Sequence, residues 1–381
     1  MFDSIGVRRE QPAPSPRSPC GPVQAEPGVR AVKAKIEIRV LESTEYEAWE
    51  RFVAEAPGGS VYALPSYLEV LSAVTDSEFR IVAALRGGEI LAGIALYERR
   101  NAAGPYVAPR LLLYYNGPVF AAPRSKYPSQ NTSLYLKLVE AFDDWFAEQE
   151  YGHVCLKSRG DLTDVRPFQE RGWSVEPAYT YEVSLNDLDA AFGRVESNYR
   201  RLIRRCERDG FRLVADDDFD TFFRLHSAIH ERKSAPIYLP QERFRIYFEA
   251  LRERGLCRLY HARLPDGTAA ASQLQLLGPH PVAHTVSAGA AAEYLTSGAS
   301  VFLRWKVLEA LAEDGYAGDD LTDAALNDVT RFKSQLGGEL RLSMVLTRPP
   351  TAKWRLQQRA VASADFTKRS VRYGMRRIGG H

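Results

Sequence analysis

The segment from Asp319 to Gly338 combines acidic side chains with a lysine that a helix would hold in place. It reads DDLTDAALNDVTRFKSQLGG. Val329, Phe332 and Leu336 recur at i, i+3 and i+7, which is the spacing of a buried helix face. This spacing places Lys333 at the edge of the apolar stripe, where its ammonium could stabilise an oxyanion or bind a phosphate. The alternative is a lysine whose stem covers apolar surface while its charge reaches water.

A second segment carries positive charge on one side of a predicted helix. On a helical wheel of residues 195–209, the apolar side chains share one arc. The opposite arc holds five arginines: Arg200, Arg201, Arg204, Arg205 and Arg208. A guanidinium binds phosphate through paired hydrogen bonds, so this face could bind a phosphate-rich ligand. A solvated surface rich in arginine fits the pattern equally well.

Three other polar clusters are less specific. Asp320 ends a short predicted strand, where its carboxylate could orient an attacking amine or cap the local backbone. His226 and His230 lie four residues apart, but no third ligand is evident, so we predict no metal site. The three aspartates at 216–218 precede a helix and are interpreted as capping residues. The sequence contains no GxGxxG, Walker A, HExxH or GxSxG motif.

Hydrophobic periodicity and turn residues predict the elements that position these groups. Helices begin at residue 43 or 44 and after Pro65, and further helices cover residues 131–149, 164–171, 187–209, 217–233, 241–253, 299–314 and 325–336. Strands are predicted at residues 36–41, 79–85, 89–98, 111–115, 153–157, 178–184, 256–263, 268–277, 282–287, 318–321 and 339–346. Each half of the chain repeats a helical pair, a hairpin, a strand, a helix and a closing strand. This order predicts an α/β (α+β) fold with mixed sheets and helices on both faces.

Composition and charge limit the class of protein. The chain has 381 residues, 45% of them hydrophobic, which is enough for two packed cores. The apolar runs are shorter than the roughly 18 residues of a membrane span. Four scattered cysteines and the lack of an apolar signal core predict reduced thiols in the cytoplasm.

The net charge of +2 is unevenly distributed along the chain. Residues 348–381 hold nine cations and one acid, for a charge of +8, so the preceding residues carry −6. A basic tail favours an anionic partner such as RNA, a nucleotide sugar or a membrane surface. A solvated tail without a partner is the alternative.

Several segments together resemble the FemAB-type transferases, which are built from two domains of the GNAT (acetyltransferase) fold. The matching segments follow the family's order: YNGPVF at 115–120, the helix end at 200–210, the Asp-Gly turn at 266–267 with two alanines at 269–270, residues 298–305 before a helix, and Phe-Lys at 332–333 ahead of the glycine pair at 337–338. Their common order makes the resemblance more specific than any single segment. The resemblance covers residues 36 to about 346.

The resemblance implies the domain organisation of the chain. It predicts two tandem GNAT-like domains with mixed, largely antiparallel sheets flanked by helices. The first covers residues 36–185, and the second covers residues 186–347 and carries the Phe-Lys motif. A disordered, proline-rich segment at 1–35 precedes them, and the basic tail at 348–381 follows.

The resemblance also implies transfer of an activated acyl or aminoacyl group to an amine of a cell-envelope precursor or polysaccharide. Lys333 matches the family lysine that contacts the donor and stabilises the tetrahedral intermediate, and Asp320 is assigned as the second catalytic residue. Residues expected to bind substrate are Arg232, which matches a family arginine that holds precursor phosphate, and Phe332, Ser287, Arg204 and Arg208. The donor would be aminoacyl-tRNA, or acyl-CoA as in the CelD-like branch, with no bound cofactor. Leu336 and residues 285–289 depart from the family's aromatic positions, which leaves the acceptor open.

An alternative reading is a non-catalytic module in which an inactive GNAT scaffold binds RNA or anionic lipid. The partners predicted for the enzyme are a small-molecule or lipid-linked envelope precursor and, as a candidate, tRNA, but no DNA. The expected location is the cytoplasm, with a candidate contact between the basic tail and the inner face of the membrane.

Overall fold

The computed structural model describes residues 35–110, 112–232, 234–324, 326 and 328–362, and for residues 328 and 329 it describes the backbone. The proline-rich segment predicted at 1–35 lies outside this range apart from its last residue, as do residues 363–381 of the basic tail. Among the described residues, no helix has the length and apolar character needed to cross a membrane.

Thirteen strands and eleven α-helices are found in the described part of the chain. The strands are β1 (Glu37–Val40), β2 (Glu78–Arg86), β3 (Glu89–Asn101), β4 (Gly104–Val107), β5 (Val119–Phe120), β6 (His153–Lys157), β7 (Ser174–Ser184), β8 (Arg212–Ala215), β9 (Cys257–Arg263), β10 (Ala269–Leu276), β11 (Val282–Ala290), β12 (Gly318–Asp320) and β13 (Glu339–Thr347). The helices are α1 (Tyr46–Glu55), α2 (Pro65–Thr75), α3 (Pro128–Ala147), α4 (Arg166–Glu170), α5 (Leu188–Arg194), α6 (Ser197–Arg208), α7 (Phe219–Arg232), α8 (Gln241–Glu253), α9 (Ala299–Glu313), α10 (Asp328–Gln335) and α11 (352–362).

The strands form one continuous sheet in the order β1-β2-β3-β4-β6-β13-β7-β12-β11-β10-β9-β8, with β5 paired to β3. The pairs β4–β6 and β11–β12 are parallel, and the other pairs are antiparallel. This confirms the predicted mixed, largely antiparallel sheet. The C-terminal strand β13 lies between β6 and β7, and β7 in turn pairs with β12. The predicted domain boundary after residue 185 falls between β7 and α5, and it stays a prediction.

Three buried apolar clusters hold the helices to the sheet. The first joins both halves of the chain, because Trp49 and Tyr67 share it with Phe219 and Tyr247. The hydroxyls of Tyr67 and Tyr247 lie 2.9 Å apart, which links α2 to α8. The second cluster lies under α6 and α9, and the third lies under α3. Burying one large apolar side chain contributes about 2 kcal/mol, so the first cluster ties the two halves together strongly.

The predicted strand at 111–115 is wrong for the described residues. Residues 112–115 form no strand, and the local pairing is a single bridge between Arg110 and Leu113. Leu112 has a φ of 69°, a left-handed conformation that interrupts extended backbone. The run is apolar because Leu112, Leu113 and Tyr115 are buried in the first cluster. Burial of an irregular segment therefore produced the apolar pattern of a strand.

One further prediction is corrected, and the start of the basic tail, whose predicted bounds stay a prediction, is seen in contact with the sheet. The single helix predicted over 187–209 is two helices, because Val195 and Glu196 adopt extended backbone with ψ of 132° and 141°. The basic tail begins as a docked segment, since the Trp354 ring of α11 stacks on His153 at a centroid distance of 4.8 Å. The short strands β4, β5 and β8 have no counterpart in the prediction.

Candidate active site

The parallel strands β11 and β12 form the centre of the candidate site because they diverge. Their pairing runs from Val282 with Gly318 to His284 with Asp320. β12 ends there, whereas β11 continues for six more residues. Among the described strands, β11 is paired beyond His284 by β10 alone. The Thr322 hydroxyl still donates to the Thr285 carbonyl at 2.7 Å, and beyond this contact the two segments separate. We call the opening between residues 286–290 of β11 and the chain from Thr322 onward the mouth.

Lys333 reaches the mouth from α10 and is buried there, with 9% of its surface exposed. Its Nζ donates to the backbone carbonyl of Thr322 and to that of Asp323, the latter at 2.7 Å. Both acceptors have positive φ, 48° and 61°, so the chain turns sharply after β12 and presents two carbonyls to one ammonium. An ammonium has three N–H donors, and these carbonyls use two. The alternative of a lysine whose charge reaches bulk water is therefore wrong.

The surroundings of Lys333 shift its protonation equilibrium. Burial lowers the pKa of Lys333 to about 8, and the positive charge of Arg304 contributes to the decrease. The carboxylates of Asp323, Asp320 and Asp319 oppose it. The ammonium is therefore charged at pH 7 but close to its pKa. Such a group can donate a hydrogen bond to developing negative charge and can also transfer a proton.

Asp320 is fully buried at the centre of a hydrogen-bond network. Its carboxylate accepts from the hydroxyls of Tyr115 at 2.7 Å and Thr180 at 2.5 Å, and from the backbone N–H of Thr322 at 2.8 Å. Burial by itself would raise the pKa of Asp320, but His284 and the hydroxyl donors outweigh it and hold this pKa below its ordinary value. The contact with Thr322 is the predicted backbone cap. Direct contact between Asp320 and an amine stays a prediction.

The neighbouring Asp319 is a second buried acid with the opposite shift. Successive strand side chains point to opposite faces, so Asp319 and Asp320 lie on different faces of β12. Asp319 accepts hydrogen bonds from Gln275 at 2.7 Å and from Thr285 at 2.8 Å. Burial raises the pKa of Asp319 to about 7 despite these donors and the charge of Arg304. Neither Asp319 nor Arg304 was predicted as a site residue.

Ser287 lies on β11 within the mouth and forms a hydrogen bond with His226 of α7. The distance between Ser287 Oγ and His226 Nδ1 is 2.8 Å. The register with β10 shifts between residues 274 and 275, which leaves a bulge in β11 just before Ser287 and redirects its side chain. A Cβ at Gly289 would lie 2.7 Å from the Leu225 carbonyl oxygen, so glycine is required for α7 to pack this closely. Ser287 stays a predicted substrate-binding residue.

Arg232 and Phe332 lie at the edges of the site. Arg232 is exposed at the end of α7, and its guanidinium lies 3.4 Å from the Ala290 carbonyl at the end of β11. Phe332 is half-buried and packs on Tyr199 of α6, with ring centroids 5.6 Å apart. This contact gives Phe332, the residue next to Lys333, a structural role in holding α10 against α6. Substrate binding by Arg232 and Phe332 stays a prediction.

The arginine face of α6 has the predicted orientation. Ile203 and Cys206 are buried, whereas Arg204 and Arg208 are exposed. The Arg204 guanidinium lies over the Phe192 ring at 5.8 Å. The structure thus provides a positive surface on α6, and binding of a ligand there stays a prediction.

The two remaining polar clusters are the aspartates that precede α7 and the pair of histidines on α7. Asp218 caps α7, because it accepts a hydrogen bond from the backbone N–H of Thr221 at 3.1 Å. Asp217 and Asp216 instead pair with Arg252 and Arg263. The rings of His226 and His230 lie 4.6 Å apart. Within the described ranges, no three His, Cys, Asp or Glu side chains are grouped to hold a metal ion.

Four polar neighbours of the site are not identified as site residues by the sequence, although Tyr115 lies in the YNGPVF segment of the resemblance. Tyr115, Thr180 and His284 surround Asp320 but come from three separate strands or loops. For His226 the sequence indicates only the pairing with His230 and gives no sign of the contact with Ser287. The one available signal was the polar character of Thr180 and His284 within otherwise apolar strands, and it does not identify their partners.

The chain was compared with known proteins by sequence and by structure. Residues 193–334 match the family model for an acetyltransferase (GNAT) domain. Comparison with curated proteins gives no match. The structure of FemX superposes with a TM-score of 0.65 at 13% identity, covering 81% of this chain and 96% of FemX.

Two other solved structures are similar over comparable lengths. The C-terminal domain of a putative lysylphosphatidylglycerol synthetase from Agrobacterium fabrum gives a TM-score of 0.51 at 13% identity, covering 84% of this chain and 97% of that domain. L-PGS from Bacillus licheniformis gives 0.52 at 12% identity, covering 81% and 92%. The matched GNAT region begins in α5 and ends in α10, so it contains Asp320, Ser287 and Lys333. Residues 193–334 therefore match an acetyltransferase (GNAT) domain, and the chain shares the fold of FemX, which supports the fold that the FemAB-type resemblance implies.

Proposed function

We propose that this chain transfers an activated acyl or aminoacyl group to an amine at the mouth. The observation that supports the proposal is the buried ammonium of Lys333, which is fixed by two backbone carbonyls beside the diverging strands of a GNAT domain. In this reaction the amine attacks the acyl carbonyl, and negative charge develops on the carbonyl oxygen. Lys333 would donate a hydrogen bond to that oxygen.

The position of Lys333 suits this role energetically. A preorganised donor in a site with little water stabilises an oxyanion more than solvent does. Removing one such donor typically costs about 3 kcal/mol, or about a hundredfold in rate. The same ammonium can protonate the leaving oxygen or sulfur, because its pKa of about 8 is close to neutrality.

We propose aminoacyl-tRNA as the donor, with acyl-CoA as the alternative. The exposed Arg204 and Arg208 on α6 give a surface that suits RNA phosphates. One structural neighbour is named as a lysylphosphatidylglycerol synthetase, a name that includes an aminoacyl group. Both donors carry phosphates, so the arginine face alone does not separate them.

The donor is tested by giving the purified full chain charged tRNA and acyl-CoA in parallel, with and without RNase. We expect product from charged tRNA and loss of that product after RNase. Arg204→Gln combined with Arg208→Gln should weaken tRNA binding and reduce its salt slope by roughly 2, one per phosphate contact. The matched control combines Arg51→Gln and Arg100→Gln, two exposed arginines outside the site. Product from acyl-CoA that is insensitive to RNase would assign the thioester donor instead.

We propose that the acceptor is an amine of a cell-envelope precursor or polysaccharide. Arg232 is exposed where β11 ends, and its guanidinium could hold a precursor phosphate. Arg232→Gln should raise KM for a phosphorylated acceptor and leave KM unchanged for the same amine without phosphate. Equal effects on both acceptors would remove Arg232 from phosphate recognition.

The tail is proposed to contact the inner face of the membrane. Leu356 and Val361 are exposed on α11, among the cations Lys353 and Arg355. Apolar and basic side chains together favour binding to anionic lipid. The full chain should sediment with anionic vesicles at low salt but not with neutral ones, and deletion of 352–381 should abolish this.

The non-catalytic alternative makes a different prediction. If both donors give no product while RNA or anionic vesicles bind with a steep salt dependence that Lys333→Met does not change, the chain is a binding module. The exposed arginine face is the observation that favours this second candidate.

A further inference from the structure

A pair of histidines adjoins the mouth on the side of α7, and the proposed reaction gives it no role so far. His226 Nδ1 is hydrogen-bonded to Ser287 Oγ at 2.8 Å. His226 Nε2 and His230 Nδ1 are both buried, and neither has a hydrogen-bond partner among the described residues. The two rings are in edge contact, with centroids 4.6 Å apart. Buried polar nitrogens without partners are rare in native proteins, so their proximity calls for a function.

We propose that Ser287, His226 and His230 form a proton relay that removes the proton of the attacking amine. The proposal rests on the proposed acyl transfer and adds the path by which that reaction loses its proton. Ser287 is the catalytic group of the relay, because it lies in the mouth. His226 and His230 act through it.

The relay moves the proton of the amine from the mouth to His230 in three successive transfers. The amine nitrogen forms a bond to the acyl carbon and gives its proton to Ser287 Oγ, while Ser287 gives its own proton to His226 Nδ1. The two unpartnered nitrogens are not hydrogen-bonded to each other, so a water between them would take the proton from His226 Nε2 and pass one on to His230 Nδ1. The bond between the acyl carbon and the donor oxygen or sulfur breaks, and the leaving atom takes a proton from Lys333. Solvent returns a proton to Lys333 and accepts one from His230.

The burial of the two histidines explains why the relay needs both. Burial lowers the pKa of His226 to about 4, and His230 contributes to the decrease, so a lasting positive charge on His226 is unfavourable. His230 is half-buried near the end of α7, where a proton can leave to solvent. Among the described residues, the other titratable group in ring contact with both histidines is Tyr238; burial raises the pKa of Tyr238 above its ordinary value, so Tyr238 remains neutral.

The relay indicates which acceptor amines the enzyme would use. An α-amine has a pKa near 8 and is partly neutral at pH 7, whereas a lysine ε-amine has a pKa near 10.4 and needs a proton acceptor. Positioned acid–base groups typically contribute roughly 10²–10⁴ to the rate. A lysine ε-amine arrives at neutral pH as an ammonium, so the relay would carry two protons for each transfer, one before the nitrogen attacks and one after. The proposal therefore favours a strongly basic primary amine as the acceptor class.

The first test reads the histidine tautomers directly and needs no activity. In the full chain with ¹⁵N-labelled histidine, two-dimensional NMR resolves the seven histidines, assigned by single His→Gln variants. We expect the proton of neutral His226 on Nε2, because Nδ1 must accept from Ser287. A proton on Nδ1 would overturn the relay, since His226 would then donate to Ser287.

The second test compares turnover of His226→Gln and Ser287→Ala with that of the full wild-type chain. With an ε-amine acceptor, we expect each variant to lower kcat about a hundredfold with little change in KM, and to shift the pH profile upward. With an α-amine acceptor the loss should be much smaller. Lys333→Met should lower kcat for both acceptors, which separates the relay from the oxyanion donor.

A matched control distinguishes a chemical role from a structural one. His261 is also buried and bonded to a serine, with Nδ1 2.6 Å from Ser272 Oγ, but it lies on β9 away from the mouth. His261→Gln should lower the melting temperature without changing the pH profile. If His226→Gln behaves like His261→Gln while Lys333→Met loses activity, the relay is wrong and the acyl transfer stands. If the wild-type chain transfers no acyl group from either donor, both proposals are wrong.

Discussion

Replacing Lys333 with methionine should lower kcat about a hundredfold and leave the fold intact. Methionine has a similar length but no charge and no N–H donor. If Lys333 stabilises the oxyanion, its loss raises the barrier by about 3 kcal/mol. Lys333→Arg retains the charge but has a larger, planar head group, so it should recover only part of the rate.

The effect of Lys333→Met on stability should be small because two contributions oppose each other. The buried carbonyl of Thr322 loses its donor, which costs about 1–3 kcal/mol. The variant also removes a buried charge that Arg304 repels. We therefore expect the free energy of unfolding at pH 7 to change by less than about 2 kcal/mol.

The pH dependence of stability gives an independent signature. The folded pKa of Lys333, about 8, lies below its ordinary value of 10.5. Between these values the unfolded chain binds more protons than the folded chain, so wild-type stability should rise as pH increases from 8 to 10.5. Lys333→Met should lack this contribution.

The assay measures kcat with saturating donor from pH 6 to 10, together with urea unfolding. In the wild type, activity should fall above pH 8 as the ammonium loses its proton. Lys306→Met is the matched control, because Lys306 is partly buried but paired with Glu207 and Glu309 at 2.7 Å. An unchanged kcat in folded Lys333→Met would refute the role of the ammonium in catalysis.

Three further predictions concern residues around the site and the tail. Wild-type stability should decrease as pH rises from 4 to 7, because the raised pKa of Asp319 favours its neutral form in the folded state. Asp319→Asn should remove this decrease. Urea midpoints at pH 4 and pH 7 measure it, and the same pH dependence in the wild type and the variant would contradict it. Tyr115→Phe removes a 2.7 Å donor to the Asp320 carboxylate and should cost about 2 kcal/mol in urea unfolding at an unchanged m value. Trp354→Ala should cost about 3 kcal/mol and speed amide exchange across α11, whereas unchanged exchange would show that its stacking on His153 does not hold the helix.

The local elements were predictable where the sequence pattern has a single period. The predicted bounds of β6 and α8 match the structure, and the hairpin of β2 and β3 lies where alternation and the glycine turn place it. The prediction failed at 111–115, where an irregular segment is apolar because it packs into the first cluster. A run of apolar residues indicates that a segment is buried, and a buried segment without strand pairing has the same apolar run as a buried strand.

The candidate site likewise combines features that the local sequence determines with features that depend on the tertiary structure. The i, i+3, i+7 spacing by itself fixed Lys333 next to the buried face of α10, because helix geometry is local. The contacts that give this region its chemistry depend on the tertiary structure: Tyr115 meets Asp320 across 205 residues, and His226 meets Ser287 across 61. The sequence determined which side chains are available and which face of their own element they occupy. The insertion of β13, the divergence of β11 from β12 and the burial that shifts each pKa arise only when distant strands pair, since no short segment contains both partners.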